Sequence, residues 1–251
     1  MKQRAAADHY SYRVYADAAT AEAFDERRFG GPIGNLVAAE QADVLQRFAG
    51  QIRDRRILDV GTGTGRAAFL MARGGARVTG VDSSEEMLTV ARRHAADQQL
   101  AIQFQRGDVH HLEFADRSFD VVISLRVLMH TPDWRQALAE LCRVSARLVI
   151  VDYPSAASFA ALQAMARRAT HALGANTEPY RVLRAAAVAQ AFEVCGFQIP
   201  AAHRQFVLPI ALHKAIGSRS FTVQSRKVSE RLGLLNLFGS PVTLLAERCA
   251  S

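Results

Sequence analysis

One short stretch of the chain combines an acid with closely spaced glycines. An apolar run that begins at Ile57 leads to Asp59, and Gly61, Gly63 and Gly65 follow at alternate positions. Glycine suits a tight turn from a strand into a helix, and it lets the backbone approach a bound molecule closely. The stretch therefore predicts a cradle for a nucleotide or nucleoside where a first strand turns into a helix.

The spacing of these glycines argues against two common nucleotide sites. A dinucleotide fingerprint, G-x-G-x-x-G, would place its last glycine at position 66, where this chain has Arg66. A phosphate loop would continue with lysine and then serine or threonine, and no lysine follows these glycines. NAD and ATP sites are therefore disfavoured, whereas another nucleoside-containing ligand fits. A glycine-rich turn that merely needs room is the structural alternative.

Polar residues also follow the apolar runs farther along the chain. Asp82 lies 21 positions after Gly61, where a nucleoside-binding α/β unit places the acid that accepts hydrogen bonds from the ribose hydroxyls. Asp108, Ser124 and Asp152 follow later apolar runs. Because ligands of parallel sheets bind at the carboxyl ends of the strands, we expect these side chains to gather at one edge of a sheet.

The elements that would position these residues alternate between strand and helix. Strands are predicted at 56–60, 76–81, 102–105, 119–124 and 147–152. Helices are predicted at 66–73, after Ser83 or Ser84, and at 133–143. This alternation predicts an α/β fold, a doubly wound, Rossmann-like and mostly parallel sheet covered on both faces.

The ends of the chain are less regular than the middle. A helix is predicted at 35–48, and helices at 155–173 and 185–195 precede strand-like segments at 197–207 and 241–246. We expect a single domain over residues 1–251. In it, residues 1–50 form an N-terminal helical cover, 51–153 the ligand-binding core, and 154–251 substrate-side insertions and the final strands.

Composition limits the class of protein. No run approaches the ~20 apolar residues that a membrane-spanning helix needs, and the first residues lack a signal-peptide core, so a cytoplasmic protein is expected. The three cysteines form no C-x-x-C pair, which argues against a disulfide framework and a zinc site. His110 and His111 are sequence neighbours and would not share a strand face, so no metal site is expected.

The net charge of +7 raises the question of an anionic partner. The arginines are scattered in ones and twos, which is typical of a solvated surface, so nucleic-acid binding is disfavoured. Residues 208–238 mix apolar and basic side chains. They are interpreted as a lid over a lipophilic acceptor or as a contact with a membrane surface. The alternative is a strand insertion with an ordinary amphipathic helix.

Over about residues 50–153 the chain resembles the class I S-adenosylmethionine (SAM)-dependent methyltransferases. D-V-G-T-G-T-G at 59–65, G-V-D-S-S-E-E-M-L at 80–88 and F-D-V-V-I-S at 119–124 are similar to three motifs of that family. The chain also resembles its ubiquinone and menaquinone biosynthesis branch, in which a histidine, here His130, follows the fourth strand. The resemblance implies a seven-stranded sheet with an antiparallel last strand. It also implies methyl transfer from SAM, which leaves S-adenosylhomocysteine (SAH), to oxygen, carbon or nitrogen of a small acceptor.

The resemblance also implies roles for individual residues. Asp59 would accept hydrogen bonds from the ammonium group of SAM, Asp82 would hold the ribose, and Met87 would pack on the adenine. Asp108 would accept a hydrogen bond from the adenine amine. The other candidate cofactor-binding residues are Gly61, Thr62, Gly63, Gly65, Ser83, Gly107, Val109, Ser124 and Leu125.

Fewer residues are candidates for the acceptor side. His130 is the candidate general base, because histidine titrates near neutral pH, and a histidine that only fixes its loop is the alternative. Arg126 would face an anionic group of the substrate. Tyr15 in the aromatic-rich N-terminal segment and Tyr153 after the fifth strand are candidate pocket-lining residues.

Two other functions are carried as alternatives. The first is an RNA methyltransferase, but family members that methylate base amines have [D/N/S]-P-P-[F/Y/W] after the fourth strand, and this chain has S-L-R-V at 124–127. The second is a non-catalytic SAM-binding partner protein. The sequence leaves the oligomeric state open.

Overall fold

The structure is a computed structural model that describes residues 18–172 and 180–250. It contains one seven-stranded sheet. The strands in chain order are β1 Arg56–Val60, β2 Arg77–Asp82, β3 Ile102–Arg106, β4 Phe119–Ser124, β5 Ser145–Tyr153, β6 Phe197–Phe206 and β7 Ser240–Arg248.

The order of the strands across the sheet is β3-β2-β1-β4-β5-β7-β6. Strands β1 to β5 pair in parallel, and β7 lies antiparallel between β5 and β6. The predicted doubly wound, mostly parallel sheet with an antiparallel last strand is therefore confirmed. The winding direction reverses between β1 and β4, which are neighbours, and such a switch point is where open α/β sheets bind ligands.

Ten helices lie within the described residues. They are α1 Ala18–Phe29, α2 Gly31–Ala49, α3 Arg66–Arg73, α4 Glu85–Asp97, α5 Trp134–Val144, α6 Phe159–Ala172, α7 Ala185–Val194, α8 Ile210–Ile216, α9 Arg219–Arg231 and α10 Leu234–Phe238. The side chain of Ser84 accepts a hydrogen bond from the backbone N–H of Met87 at 3.0 Å, so the predicted serine cap of α4 is present. None of these helices is long and apolar enough to cross a membrane.

Alternate residues of the strands enter two separate cores. Ile57 belongs to a core with Leu45 of α2 and Met71 of α3, whereas Leu58 belongs to a core with Leu138 of α5 and Phe192 of α7. Side chains of successive strand residues point to opposite faces, so both faces of the sheet are buried under helices. This double burial explains why the central strands β1, β4 and β5 are apolar over most of their length.

The structure differs from the sequence-based expectation mainly at the ends of the chain. Helix α2 begins at Gly31 rather than at residue 35, because Pro32 is compatible with the first turn of a helix. Residues 208–238 form α8, α9 and α10, so the expected strand insertion is wrong. Gly217 and Gly233, both with positive φ, separate these three helices, and Ser218 caps α9.

Candidate active site

A cavity of about 430 Å³ opens at the carboxyl ends of β1, β2 and β4. Its volume lies within the range of about 300–1,000 Å³ that is typical of small-molecule sites. The turn after β1, the end of β2, the loops after β3 and β4, and the helices α1, α2 and α3 all contribute to its wall. The cavity therefore lies at the switch point of the sheet.

The glycines after β1 meet different needs. A Cβ atom on Gly61 would lie 2.1 Å from Cγ2 of Val127, so glycine is required there for the close approach of the loop after β4. Gly63 has a φ of 54°, and a Cβ there would meet nothing within 4 Å, so it borders open space in the cradle. Gly65 does not line the cavity. It begins α3, and a Cβ there would lie 2.5 Å from the ring of Phe69.

Asp82 joins the glycine turn to the start of α4. One oxygen of its carboxylate accepts a hydrogen bond from the N–H of Gly63 at 2.8 Å, and the other accepts from the N–H of Ser84 at 3.0 Å. Burial raises the pKa of Asp82, and these N–H donors oppose the rise. A carboxylate has about four acceptor positions, so Asp82 retains capacity for the hydroxyls of a ligand.

Asp59 is a buried acid beside the same turn. Its Oδ2 accepts hydrogen bonds from Oγ1 of Thr62 at 2.7 Å and from the N–H of Ala68 at 3.1 Å. Burial raises the pKa of Asp59 to about 6, the two hydrogen bonds oppose the rise, and the charge of Asp82 adds to it. At neutral pH most of the Asp59 carboxyl groups are therefore ionised, and they can balance a cationic ligand.

The loop after β4 forms the wall opposite the end of β2. Leu125, Arg126 and His130 line the cavity there, and the N–H of His130 donates to the carbonyl of Val127 at 2.8 Å. Arg126 has a φ of 64°, and its N–H donates to the carboxylate of Asp152 at the end of β5. This loop brings a histidine and an arginine to the side of the cavity away from Asp82.

Helix α1 closes the cavity over the glycine turn. Oγ1 of Thr64 donates to Oδ1 of Asp25 at 3.0 Å, and the guanidinium of Arg66 lies 3.5 Å from the centre of the Phe29 ring. Arg66, which occupies the last glycine position of a dinucleotide motif, thus packs against α1. The predicted N-terminal cover is therefore part of the cavity wall.

Most of the sequence-predicted site residues come together in this cavity. Those that line it are Asp59, Gly61, Thr62, Gly63, Asp82, Ser83, Met87, Gly107, Val109, Leu125, Arg126 and His130. Gly65, Asp108, Ser124 and Tyr153 do not line it. Tyr15 lies outside the described residues.

The predicted roles of three residues that do not line the cavity need correction or stay open. Tyr153 is 2% exposed and belongs to the core, because it alternates with Asp152 along β5 and points to the other face. The hydroxyl of Ser124 donates to the carbonyl of Val60 at 2.9 Å, so it fastens β4 to β1. Oδ1 of Asp108 accepts from the N–H of His110 at 2.9 Å, and its contact with adenine stays a prediction.

Sequence reasoning missed the residues that α1, α2 and α3 contribute. They include Arg28, Gln41, Ala42, Leu45, Arg66 and Leu70. The aromatic residues Phe24 and Phe29 were the one available signal, and both line the cavity. The positions on α2 carry no chemical signature, since a helix that packs on a sheet has the same apolar pattern. Within residues 18–172 and 180–250, no group of three or more His, Cys, Asp or Glu side chains could hold a metal ion.

Comparison with known proteins identifies the domain. A family model described as a methyltransferase domain matches residues 58–147. The chain is 40% identical over 103 residues to a ubiquinone biosynthesis O-methyltransferase of Alkalilimnicola ehrlichii. This alignment covers 41% of this chain and 42% of that protein. It is 39% identical over 109 residues to a demethylmenaquinone methyltransferase of Deinococcus radiodurans, which covers 41% and 45%. The chain thus spans less than half the length of these curated relatives.

The similarity in fold extends over nearly all of the chain. The crystal structure of magnesium protoporphyrin IX methyltransferase from Synechocystis PCC 6803, with bound SAH, matches with a TM-score of 0.65 and 15% identity. The match covers 96% of this chain and 99% of that one. Residues 58–147, which carry the motifs at the carboxyl ends of β1, β2 and β4, therefore match a methyltransferase domain, and the fold is similar to that of a SAM-dependent methyltransferase over nearly the whole chain. In the same region the chain resembles enzymes named for ubiquinone and menaquinone biosynthesis.

Proposed function

We propose that this chain transfers the methyl group of SAM to oxygen, carbon or nitrogen of a small acceptor, such as a phenol or an enol. One observation carries the proposal: a single cavity joins the glycine turn, Asp82 and the His130 loop. The names of the relatives, which refer to ubiquinone and menaquinone biosynthesis, support a quinone-type acceptor.

The residues of the cavity fit SAM. Gly63 borders open space, Asp82 retains acceptor capacity for ribose hydroxyls, and Met87, 2% exposed, offers an apolar surface for adenine. Asp59 supplies a carboxylate for the ammonium group, directly or through water. When bound, SAM supplies a methyl carbon that its sulfonium already activates. The protein is therefore required mainly to hold the acceptor in line and to manage one proton.

Positioning accounts for much of the expected acceleration, because well-oriented reactants reach effective molarities of ~10⁵ M or more. Helix α1, held by Thr64 and Arg66, covers the cavity and limits the access of water. We assign His130 the role of general base, because it lines the cavity and is 8% exposed. Its imidazole would accept the proton of an acceptor hydroxyl as the bond to carbon forms.

His130→Gln tests the role of this histidine. Loss of a general base is expected to lower kcat by about 10²–10⁴-fold, with SAH affinity unchanged. The pH profile of kcat, measured at saturating SAM so that Asp59 does not contribute through cofactor affinity, is expected to lose its acidic limb. His111→Gln, at an exposed position that does not line the cavity, is the matched control. An unchanged kcat and pH profile would assign His130 to the alternative role of fixing its loop.

The reaction itself is tested with methyl-labelled SAM. The acceptors are catechol for transfer to oxygen, 1,4-dihydroxy-2-naphthoate for transfer to carbon, and purified RNA for the rival function. Label is expected in a small-molecule product only. Label in RNA would favour the RNA methyltransferase, and SAH binding with no transfer to any member of a broad acceptor panel would favour a non-catalytic SAM-binding protein.

We also infer that α8, α9 and α10 contact an anionic membrane surface at its periphery. Large apolar side chains there are between 43% and 66% exposed, namely Leu212, Ile216, Val228, Leu232, Leu237 and Phe238. Exposed basic residues accompany them, namely Arg219, Lys227 and Arg231. Basic and apolar side chains on one surface favour binding to anionic lipid, and a membrane would give access to a lipophilic acceptor.

Flotation with liposomes tests this contact. The protein is expected to float with phosphatidylglycerol liposomes and not with pure phosphatidylcholine, since the basic residues require anionic lipid. The Leu232→Ser, Leu237→Ser double variant is expected to remain in the soluble fraction. Val194→Ser is the control, because Val194 is 82% exposed on α7, outside this surface. Equal flotation of both variants would remove the proposed contact.

A further inference from the structure

The charged residues that line the cavity are mostly cationic. Four arginines face two aspartates, the set being Arg28, Arg66, Arg73 and Arg126 against Asp59 and Asp82. Arg73 donates to the side chain of Gln98. Arg66 stacks on Phe29 of α1, and its Nε has no hydrogen-bond partner within residues 18–172 and 180–250. Bound SAM would add positive charge, because its sulfonium and ammonium groups outweigh its carboxylate.

Arg28 and Arg126 have no acidic partner at ion-pair distance in the described part of the chain. None of the ion pairs formed within residues 18–172 and 180–250 involves either of them. The Nε of Arg126 is buried and has no hydrogen-bond partner among those residues. The guanidinium of Arg28 only packs over the ring of Phe24, at 5.3 Å. A buried donor without an acceptor calls for a ligand or an ordered water.

Asp152 interacts with both Arg28 and Arg126, but it does not neutralise the two guanidinium groups. Its carboxylate is 4% exposed and accepts a hydrogen bond from the backbone N–H of Arg126, not from a guanidinium. Burial raises the pKa of Asp152 to about 7, and the charge of Arg28 opposes the rise. Burial thus favours the neutral form of this acid, whereas arginine is always charged.

We propose that the methyl acceptor carries a carboxylate or phosphate group and that Arg126 binds this group, assisted by Arg28 from α1. The inference rests on the proposed function, because it assigns an acceptor to the same cavity. Arg126 lies in the loop of His130, on the side away from Asp82, so an anion bound there would place the rest of the acceptor near the general base. Planar guanidinium groups bind carboxylate and phosphate through paired hydrogen bonds, which fixes orientation as well as charge.

Fragment binding to the SAH-loaded protein tests the inference. The probes are benzoate, phenyl phosphate and the neutral benzyl alcohol, each titrated to its solubility limit. The wild type is expected to bind at least one anion about 10–100-fold more tightly than benzyl alcohol, the range for hydrogen bonds to charged groups. The tighter of the two anions then identifies the acceptor group. Equal affinities, or no saturable binding of either anion, would overturn the inference.

Variants locate the anion site. Arg126→Gln is expected to lose the preference for the anion, and Arg126→Lys to retain part of it, because lysine keeps the charge but not the paired geometry. Arg147→Gln removes the same charge near the start of β5, at the opposite edge of the sheet from the cavity, and is expected to behave as the wild type. An unchanged preference in Arg126→Gln would contradict the assignment.

SAH affinity separates this inference from the proposed function. If Arg126→Gln weakens SAH binding as much as it weakens benzoate binding, Arg126 serves the carboxylate of the cofactor and the inference fails. If the wild type does not bind SAH at all, the proposed function fails. A protein that binds SAH but shows no preference for anions would contradict the inference alone.

Discussion

Two buried aspartates set the charge that the cavity presents to a cation. Asp82 is held by N–H donors from the glycine turn and from α4, whereas Asp59 is held by a threonine hydroxyl and one N–H of α3. Burial raises the pKa of both acids, that of Asp59 to about 6. A cationic ligand is therefore expected to favour their ionised forms and to release protons when it binds in mildly acidic solution.

The affinity for SAM is expected to depend on pH through Asp59. Below a pKa of about 6 the carboxyl group is neutral, and above it the carboxylate can pair with the ammonium group of SAM. The affinity should therefore rise between about pH 5 and 7 and then level off, because the ammonium group stays charged over this range. Calorimetric titration at several pH values measures it. Asp59→Asn should flatten the curve, and an equally steep curve in that variant would exclude Asp59 as the cause.

Most residues at the strand ends were predictable from the sequence, but their directions were not. An acid that follows an apolar run lies at the carboxyl edge of the sheet, which is why Asp59 and Asp82 were found. Whether a residue beyond the strand faces the cavity depends on pleat and loop geometry. Tyr153 and Asp152 are adjacent and point to opposite faces of the sheet, so a difference of one position decides which face a side chain enters.

Helix α1 is held to the glycine turn by few interactions. The hydrogen bond from Thr64 to Asp25 and the stacking of Arg66 on Phe29 connect it to the turn, and the ion pair of Glu22 with Arg93 connects it to α4. Phe24 and Phe29 of the same helix line the cavity. We therefore expect these interactions to slow the exit of a ligand that lies beneath α1.

Thr64→Val is expected to speed the release of SAH. The variant keeps the shape of the side chain and removes the hydrogen bond to Asp25, which is worth about 0.5–1.5 kcal/mol, so the dissociation rate should rise about 2–10-fold. Stopped-flow dissociation measures this rate. Thr89→Val is the control, because the hydroxyl of Thr89 donates only to a carbonyl within the exposed surface of α4. An unchanged rate in Thr64→Val would show that this contact does not limit release.

The helices α8 and α9 are joined by a buried histidine. His213 is 1% exposed, lies 5.1 Å from the ring of Phe206 and 5.6 Å from that of Phe221, and has Nδ1 at 3.1 Å from Oγ1 of Thr222. Burial lowers the pKa of His213 below its usual 6.5. The folded protein thus keeps this imidazole neutral where the unfolded chain binds a proton.

The free energy of unfolding is therefore expected to fall as the pH drops below about 6.5, because the unfolded state then takes up a proton that the folded state resists. The contribution is fully present above the unfolded pKa and is lost as the pH falls toward the lower, folded value. Urea unfolding between about pH 7 and 5 measures it. His213→Phe should show a shallower loss than the wild type. Identical slopes would assign the acid sensitivity to other groups.

The helices of the C-terminal region were the least predictable elements. Residues 208–238 alternate apolar and basic side chains without a strong period, and the positive-φ glycines Gly217 and Gly233 divide them into short helices. Only their packing against α2 and β6 selects this arrangement. A buried ion-pair cluster provides part of that packing, since Glu40 of α2 lies 2.9 Å from His203 and 2.7 Å from Arg226.

The cavity lies at the carboxyl edge of the sheet, and segments whose sequence pattern is less regular than that of the strands form part of its wall. Strands β1, β4 and β5 were predictable because their apolar runs are buried on both faces, and the ends of β1, β2 and β4 carry the cofactor motifs. The part of the cavity that we propose for the acceptor is lined by α1, α2 and the loop after β4, which belong to different parts of the sequence and have no shared motif. Sequence therefore identifies the methyl donor more readily than the acceptor.

SAH is expected to stabilise the protein as a unit, since its site joins elements from both halves of the chain. A ligand at 100 times its dissociation constant adds about 2.7 kcal/mol to the free energy of unfolding. For a domain of this size the melting temperature should then rise by about 5–10 °C. Differential scanning calorimetry measures the rise. NADH, whose fingerprint is disfavoured by Arg66, should produce none, and an equal rise with NADH would contradict the assigned ligand.

The central claim, that the cavity at the end of β1 and β2 binds SAM, is tested most directly by calorimetric titration of SAH into the wild type and Asp82→Asn. The wild type should bind one SAH per chain, and Asp82→Asn should bind about 10–100-fold more weakly, as expected for lost hydrogen bonds to a charged group. Asp120→Asn is the matched control, because Asp120 accepts from the N–H of Arg56 at the opposite edge of the sheet and should leave the affinity unchanged. Absence of SAH binding by the wild type, or equal binding by Asp82→Asn, would contradict the account.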